Sequence, residues 1–368
     1  MATLEENIDK VVSAHAALKT AIAAKGVTVP DGAKLSDMPA LVSQVETPPV
    51  PTNPRAVFAR DTATSIVVPK VMVVDFLKSG DVTYCFGDCD NLTSLTLPDG
   101  FGQAATNVSY CFIYCRKLTS LTLPDGFGQA ATNITYCFSN CNNLTSLTLP
   151  DGFGSAATNV SHCFFYCRKL TSLTLPDGFG QAATNVAYCF SDCNSLTSLT
   201  LPDGFGQAAT NVADCFSDCD NLTSLTLPDG FGQAATNVAY CFIYCRKLTS
   251  LTIPDGFGSA ATNVAYCFSN CNSLTSLTLP DGFGQAATDV AYCFGSCSAL
   301  TDITGNPNFK TSLSLSASPN LTHDSLMVVI NGLQTVATAQ TLTLGATNLA
   351  KLTNEEKKVA TDKGWTLA

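Results

Sequence analysis

Charged side chains are scarce in this chain: they make up 13% of its 368 residues, against 46% hydrophobic residues. Basic residues are the scarcer sign, 19 against 29 acidic residues, which leaves a net charge of −10. Because nucleic-acid phosphates are bound by clustered basic side chains, this balance argues against nucleic-acid binding. The three histidines, His15, His162 and His323, never recur with a serine, cysteine or carboxylate partner. We therefore expect no catalytic site, no cofactor and no enzyme activity.

Long apolar runs are also missing from the sequence. None approaches the roughly 20 residues needed to cross a bilayer, so we expect no membrane span. The first residues, MATLEENIDK, lack the basic and apolar regions of a secretory signal peptide. We therefore expect the chain to be synthesised and first folded in a reducing cytoplasm.

Cysteine, by contrast, is abundant and regularly placed. A 26-residue repeat occupies residues 66–302, and each of its nine copies carries two cysteines separated by three residues. The first and last copies are degenerate, as capping repeats are. All eighteen cysteines fall in these pairs: Cys85, Cys89, Cys111, Cys115, Cys137, Cys141, Cys163, Cys167, Cys189, Cys193, Cys215, Cys219, Cys241, Cys245, Cys267, Cys271, Cys293 and Cys297.

A single repeat combines the patterns of a helix, a strand and a turn. Apolar residues spaced i, i+3, i+4, i+7 and i+10 predict one face of an α-helix of two to three turns: Val108, Cys111, Phe112, Cys115 and Leu118. Leu121 and Leu123 then alternate with polar residues, as in a short strand, and PDGFG follows as a turn. Because one repeat cannot bury its apolar face alone, we expect the repeats to stack.

The residue before each apolar face is Asn in the seven interior copies and Asp in the two terminal ones. These residue types are preferred helix N-caps. Asp suits the helix dipole better, so the neutral interior indicates that stacking brings these side chains close together. We predict a structural N-cap ladder with charge only at its ends: Asp81, Asn107, Asn133, Asn159, Asn185, Asn211, Asn237, Asn263 and Asp289.

The spacing of the two predicted elements indicates the fold class. Parallel strands stack about 4.8 Å apart, whereas helices pack roughly 8–10 Å apart. A stack with strands on one side and helices on the other must therefore curve. We predict an α/β leucine-rich-repeat solenoid, a horseshoe with concave parallel strands and convex short helices.

Two further segments flank the nine-coil solenoid of residues 66–302. Residues 1–46 are predicted to form a helical attachment or oligomerisation module, and 47–65 a proline-rich linker and entry. Within residues 4–22, apolar residues at 4-3-4-3-4 spacing favour a homo-oligomeric coiled coil, with a trimer as one candidate, or equally an amphipathic helix folding onto its own chain. Residues 303–368 are predicted to form an α/β cap: a Thr-capped helix in LTHDSLMVVINGL, a strand in TLTLG and a capped helix in LTNEEKKVATDKG.

The cysteine pairs admit three interpretations. Disulfides demand a specific geometry and an oxidising compartment, and zinc sites use tighter spacing in loops or turns. Here both cysteines share the apolar stripe, where free cysteine behaves as a small buried hydrophobe. We therefore favour structural buried thiols, with no metal, over a redox or metal-binding ladder.

The predicted solvent face of the helix is where the copies differ most. Large apolar and aromatic side chains on such a face indicate a partner, although unconstrained variation explains them nearly as well. The candidate partner-binding residues are Tyr110, Ile113, Tyr114, Arg116, Lys117, His162, Phe165, Tyr166, Arg168, Lys169, Tyr240, Ile243, Tyr244, Arg246 and Lys247. The aspartates of the PDG turns are explained by turn chemistry better than by calcium binding. The Thr- and Ser-rich strand face offers a hydroxyl-rich surface to a polysaccharide, although the same residues are also good neutral strand formers.

The repeat string TNVSYCFIYCRKLTSLTLP resembles the BspA-like leucine-rich-repeat surface proteins, over roughly residues 66–302. The flanking strings AIAAKGVTVPDGAKLSDMPA and TLTLGATNLAKLTNEEKKVATDKGWTLA are similar to parts of bacteriophage tail-associated proteins. The first resemblance implies adhesion or ligand binding without catalysis, and a virion tail component would explain the missing signal peptide.

The sequence as a whole therefore favours a non-catalytic binding protein that acts in phage-tail or cell-surface attachment. The expected partner is a protein or glycan on a cell surface, or a sister subunit. Two alternatives stay open at this point: a redox or metal-binding protein that uses the cysteine ladder, and a purely structural, self-assembling component.

Overall fold

The structure is a computed structural model that describes Phe58, residues 62–68 and residues 80–368. The chain divides into two compact units, Met1–Asn53 and Pro54–Ala368, and all described residues belong to the second. The predictions for the helical module, residues 1–46, and for most of the linker lie outside the described residues.

One short strand per coil forms the sheet side of the repeat region. In each interior strand the central leucine is buried while the Ser and Thr on either side of it are exposed. Strands pair in parallel, and neighbouring repeats are in register, with Ser120 opposite Ser146. The strands are β1 (Ser65–Val67), β2 (Ser94–Thr96), β3 (Ser120–Thr122), β4 (Ser146–Thr148), β5 (Ser172–Thr174), β6 (Ser198–Thr200), β7 (Ser224–Thr226), β8 (Ser250–Thr252), β9 (Ser276–Leu279) and β10 (Asp302–Gly305). The parallel-strand leucine-rich-repeat solenoid is confirmed.

The predicted helix in each coil is wrong: residues 108–118 form a succession of tight turns. The amide of Cys111 donates to the Val108 carbonyl, three residues back, as in a 3₁₀ turn. The amides of Tyr110 and Phe112 instead donate to Thr135 and Cys137 of the next coil, at 2.9 and 2.8 Å. Amides thus alternate between bonds within a coil and bonds between coils, so no α-helical hydrogen-bond ladder forms.

Two left-handed residues in every coil prevent a continuous helix. Tyr110 and Tyr114, which precede the two cysteines, have φ of 58° and 60°, and the equivalent residues of all nine coils share this conformation. Backbone hydrogen bonds join both sides of a coil to the next coil. The wide spacing of packed helices, from which a convex helical side was predicted, therefore does not apply.

The core between the two sides is built from columns of identical side chains. Phe112 stacks on Phe86 and Phe138 at 5.4 Å between ring centroids. A second column, from the PDGFG turn, stacks Phe127 on Phe153 at 6.1 Å. Phenylalanine pairs in such offset arrangements stabilise beyond the area that they bury.

The C-terminal residues close the last coil with a small α/β layer. Its elements are β11 (Leu313–Ser314), α1 (His323–Asn331), β12 (Gln340–Thr343), α2 (Gly345–Leu349), α3 (Asn354–Asp362) and β13 (Trp365–Leu367). Thr322 caps α1 and a Thr353–Glu356 capping box opens α3, which confirms both predicted caps. β11, β12 and β13 form one parallel sheet, of which the sequence indicated β12 alone.

Candidate interaction surfaces

The predicted asparagine ladder exists, but its members do not cap helices. Consecutive members, such as Asn107 and Asn133, are joined by parallel β-bridges from Asp81 to Asp289. The Asn107 side-chain oxygen accepts a hydrogen bond from the Ser109 amide at 3.0 Å, which closes an Asx turn. Interior members are half-buried and the two terminal aspartates are exposed. Adjacent half-buried carboxylates would repel each other, which explains the neutral interior.

All eighteen cysteines lie within the described residues, and all are buried, free thiols. The second thiol of each pair has a polar partner that the sequence did not indicate: Cys141 donates to the Phe112 carbonyl of the preceding coil at 3.2 Å. The same bond recurs along the column, for example from Cys167 to Phe138. Burial raises the pKa of the Cys193 thiol to about 12 and that of Cys163 well above its usual value. The Cys163 and Cys193 thiols are therefore protonated at neutral pH.

The predicted partner-binding residues do not form one solvent face. Ile113 and Ile243 are buried, at 5% and 7% exposure, so these two are corrected to core residues. Of the others, Tyr110, Tyr114, His162, Phe165, Tyr166 and Tyr244 are half-buried, whereas Arg116, Lys117, Arg168, Lys169, Tyr240, Arg246 and Lys247 are exposed. The helical spacing behind the prediction fails because the segment consists of turns.

Many side chains of the variable surface contact one another, both within a coil and between neighbouring coils. Each Arg guanidinium lies over the ring of the Tyr two residues before it, at 4.7 Å for Arg116 over Tyr114. Arg116 also pairs with Asp90 of the neighbouring coil at 3.0 Å, and Arg246 pairs in the same way with Asp220 at 2.6 Å. Exposed pairs of this kind contribute about 0–1 kcal/mol. The sequence already contained a signal for these ion pairs, because an aspartate lies one repeat before two of the three arginines: Asp90 before Arg116 and Asp220 before Arg246.

A column of stacked rings runs through the residue that precedes the first cysteine of each coil. His162 lies between Tyr136 and Tyr188, at 4.2 and 4.5 Å between ring centroids. Its Nδ1 is buried without a hydrogen-bond partner, and burial lowers the pKa of the imidazole to about 4. His162 is therefore a neutral member of an aromatic stack.

A group of half-buried carboxylates lies in the fifth and sixth coils. Burial raises the pKa of Asp192 and of Asp214 to about 6, and it also raises the pKa of Asp218. Like charge adds to the effect, since Asp218 acts on both of the other carboxylates. Nothing in the sequence pattern distinguished these residues from other variable positions.

From β3 to β8 the exposed strand residues are Ser and Thr, so the strand face there is polar and uncharged, and a row of turn aspartates borders it. Shallow grooves follow the strand ends; one is lined by Thr122, Thr148, Asp125 and Asp151, with Gln129 beside them. Among the described residues, no group of three or more His, Cys, Asp or Glu side chains is arranged to hold a metal ion. Nor does any helix within residues 80–368 have the length and apolar character of a membrane span.

A family model described as a BspA type leucine rich repeat region (6 copies) matches residues 82–186, 108–238, 158–263 and 213–323. These matches together cover well over half of the chain. The chain belongs to the BspA-type leucine-rich-repeat family. Members of this family are typically surface proteins and binding repeat proteins.

Three solved structures resemble this BspA-type chain at low identity. A leucine-rich repeat protein of T. pallidum is 20% identical, with 61% of this chain and 82% of that chain covered and a TM-score of 0.33. One from Bacteroides ovatus is 16% identical, covering 83% and 84%, with a TM-score of 0.32. A leucine rich cell surface protein from Faecalibacterium prausnitzii is 16% identical, covering 76% and 78%, with a TM-score of 0.33. No curated protein sequence matches the chain.

Proposed function

We propose that this protein is a non-catalytic binding or adhesion protein that presents a rigid repeat surface to a partner. One observation carries the proposal: equivalent positions hold the exposed Arg116 and Lys117 in the second coil but the half-buried Asn142 and Asn143 in the third, on the same pattern of buried Cys, Phe and Leu. A repeat scaffold with a constant core and differing exposed side chains is the arrangement that repeat proteins use for recognition. The BspA-type family supports the same role.

The proposed partner is a protein or glycan on a cell surface, or a sister subunit. The three exposed Arg-Lys pairs support a protein, because Arg is a frequent energetic anchor in interfaces. The uncharged Ser and Thr strand face supports a glycan. We place the protein at a cell surface or on a virion tail, and the flanks that resemble phage tail proteins favour the tail.

A cell-binding measurement tests the attachment role. Fluorescently labelled full-length chain is expected to bind bacterial or epithelial cells saturably, in competition with unlabelled chain. Replacing the three Arg-Lys pairs with the Asn-Asn pair of the third coil should weaken this binding, because that pair already occupies the same backbone. A matched control replaces the exposed strand residues Thr122, Thr148 and Thr174 with Ser.

Two results would contradict parts of this proposal. If the labelled chain binds no cell type saturably, the attachment role is wrong. If the strand-face control loses binding while the Arg-Lys variant retains it, the partner lies on the strand face and is not bound by the basic pairs.

We also propose that residues 4–22 join several copies of the chain, which would raise avidity without any new contact. Light scattering of the full chain and of a chain that starts at residue 57 tests this. The full chain should have a mass of two or more protomers and the shorter chain that of one. Two monomers would contradict the coiled-coil interpretation.

The redox alternative predicts thiols that react in the native state. Because all eighteen thiols are buried and out of reach of a reagent, we expect no native thiol to react with a disulfide reagent and all eighteen to react after unfolding. Rapid reaction of native thiols, or stoichiometric zinc in the purified protein, would favour the redox or metal role instead.

A further inference from the structure

The stack of rings before the first cysteine, called here the ring column, is interrupted once. Between neighbouring rings the centroid distances are 4.9 Å for Tyr110 to Tyr136 and for Tyr240 to Tyr266. The sixth coil has an aspartate at this position. The nine positions are Tyr84, Tyr110, Tyr136, His162, Tyr188, Asp214, Tyr240, Tyr266 and Tyr292.

The missing ring leaves two tyrosine faces opposite each other. Tyr188 stacks on His162 with one face, and Tyr240 stacks on Tyr266 with one face. Their other faces are directed at the coil of Asp214, and they are two coils apart, about twice the 4.9 Å step of the column. Tyr240 is accordingly 37% exposed. We call this space the Asp214 slot.

The column itself shows what fits between two such faces. In the fourth coil the imidazole of His162 lies between Tyr136 and Tyr188, at 4.2 and 4.5 Å. A planar group of about this size therefore fills one coil step when it lies parallel to the tyrosine rings. In the Asp214 slot, no ring of the described residues takes that place.

The floor of the slot carries an uncompensated negative charge. The Asp214 carboxylate is half-buried, it accepts hydrogen bonds from the hydroxyls of Tyr188 and Ser217, and burial raises its pKa to about 6. No cation of the described residues forms an ion pair with it, because Arg168 and Arg246 pair with Asp192 and Asp220. At neutral pH a half-buried carboxylate therefore lies beside two tyrosine faces on which no ring of the described residues stacks.

We propose that the Asp214 slot binds the guanidinium of an arginine side chain from a partner polypeptide. A guanidinium is planar, so it stacks between the faces of Tyr188 and Tyr240, and it carries the positive charge that both rings attract. Its forked N–H groups donate to the Asp214 carboxylate. The lysine ammonium is compact and strongly hydrated, and it lacks a flat face. The proposal names a partner chemistry for the binding role proposed above and rests on that role for the identity of the partner.

Calorimetry with short peptides and the full-length chain tests this at pH 7.5. The probes are acetyl-Gly-Arg-Gly-amide, the same peptide with lysine, and the same peptide with citrulline, which keeps the planar shape but has no charge. The arginine peptide should bind at least about tenfold more tightly than either of the others, as expected for a desolvated cation–π contact.

Two variants and one control locate the binding. Asp214→Tyr restores the ring column and fills the slot, so arginine binding should be lost, and Asp214→Asn should weaken it by about tenfold because the charge is removed. His162→Tyr exchanges ring for ring elsewhere in the column and should bind as the unaltered chain does. Thermal melts of all three confirm folding before binding is measured.

The proposal fails if the unaltered chain does not distinguish arginine from citrulline, or if Asp214→Tyr binds arginine as well as His162→Tyr does. These outcomes do not decide the attachment role, since the peptide measurement needs no natural partner. Saturable cell binding that survives Asp214→Tyr would overturn the slot alone, whereas arginine binding without any cell binding would overturn the attachment role alone.

Discussion

At the residue scale, the two cysteines of a coil have the same burial but different polar surroundings. The Cys167 thiol donates to the Phe138 carbonyl at 3.2 Å, whereas the Cys163 thiol has no hydrogen-bond acceptor among the described residues. Both are at 0% exposure. A second cysteine therefore packs and also links its coil to the preceding one, a bond that the pattern of cysteine spacing does not reveal.

Serine substitutions should separate these two roles. We expect Cys163→Ser to lower the free energy of unfolding by about 1–3 kcal/mol, because it buries a hydroxyl without an acceptor. Cys167→Ser keeps a donor opposite the Phe138 carbonyl and should cost about 1 kcal/mol or less. Urea unfolding of both variants measures the difference. Equal losses would show that the carbonyl contact does not stabilise the fold.

His162 should make stability depend on acidity. Its pKa is about 4 in the folded state, below its ordinary value of 6.5. The unfolded chain therefore takes up a proton first, and stability that is present above pH 6.5 is lost as the pH falls towards 4. We expect His162→Tyr, which matches most of the column, to reduce this loss. Thermal melts of both chains at pH 7.5 and pH 4.5 measure it, and an identical acid sensitivity would contradict the prediction.

At the element scale, the coil is defined by positions that demand a left-handed backbone. Before the second cysteine stand only Tyr, Asn, Asp and Ser, and Asn and Asp are the non-glycine residues that best tolerate this conformation. The left-handed backbone therefore restricts which residue types can occupy this position, and this accounts for part of its apparent variability. The tyrosines there are held by the Arg that covers each ring.

Two glycines of one turn should respond differently to alanine. Gly126 and Gly128 both have positive φ, 76° and 67°. A Cβ on Gly128 would lie 2.8 Å from the buried Phe153 ring, whereas one on Gly126 would lie 2.9 Å from Cγ of the exposed Gln103 side chain, which is free to move aside. We expect Gly126→Ala to cost about 1–2 kcal/mol, mainly from backbone strain, because the exposed Gln103 side chain can shift away from the added Cβ. Gly128→Ala should cost about 2–5 kcal/mol, because overpacking is added. Denaturant unfolding compares them, and equal costs would contradict the packing argument.

The C-terminal cap substitutes its own groups for those of a missing tenth coil. Ser318 donates to the Phe294 carbonyl at 3.3 Å, the contact that a second cysteine makes elsewhere. Phe309 meets Phe283 edge-on at 6.0 Å, where an inner coil would stack a parallel ring. In the cap, a serine hydroxyl therefore ends the thiol column, and an edge-on phenylalanine ends the column of stacked phenylalanines.

At the scale of the whole molecule, the solenoid is a sum of coils that contact only their neighbours. Such arrays gain stability from each coil and from each interface between coils. We expect that deleting one full repeat, residues 134–159, leaves a folded chain with a lower melting temperature, because it joins Asn133 to Val160 in register. Circular dichroism melts measure this.

A deletion of half a repeat is the control for that prediction. Removing residues 134–146 takes out the same kind of sequence but puts a turn segment opposite a strand, so the columns of Phe, Cys and Asn no longer align. This chain should be unfolded or much less stable. If both deletions melt alike, the in-register columns are not what holds the coils together.

The sequence by itself determined the period, the number of cysteine pairs, the buried stripe and the order of strand and turn within a coil. It also indicated the asparagine ladder, since a neutral interior with charged ends has meaning only in a stack, and both capped helices of the C-terminal layer. These features depend only on the spacing of residues within one repeat, or on a comparison of equivalent residues in successive repeats.

Only the tertiary structure decided between a helix and a chain of turns. The apolar spacing of Val108, Cys111, Phe112 and Cys115 suits both, because a run of tight turns also returns to the same face every three or four residues. The difference lies in where the amides of Tyr110 and Phe112 donate, to the next coil 26 residues away. The ring column, the Asp214 slot and the Arg–Asp pairs arise from that same stacking, so local periodicity could not reveal them.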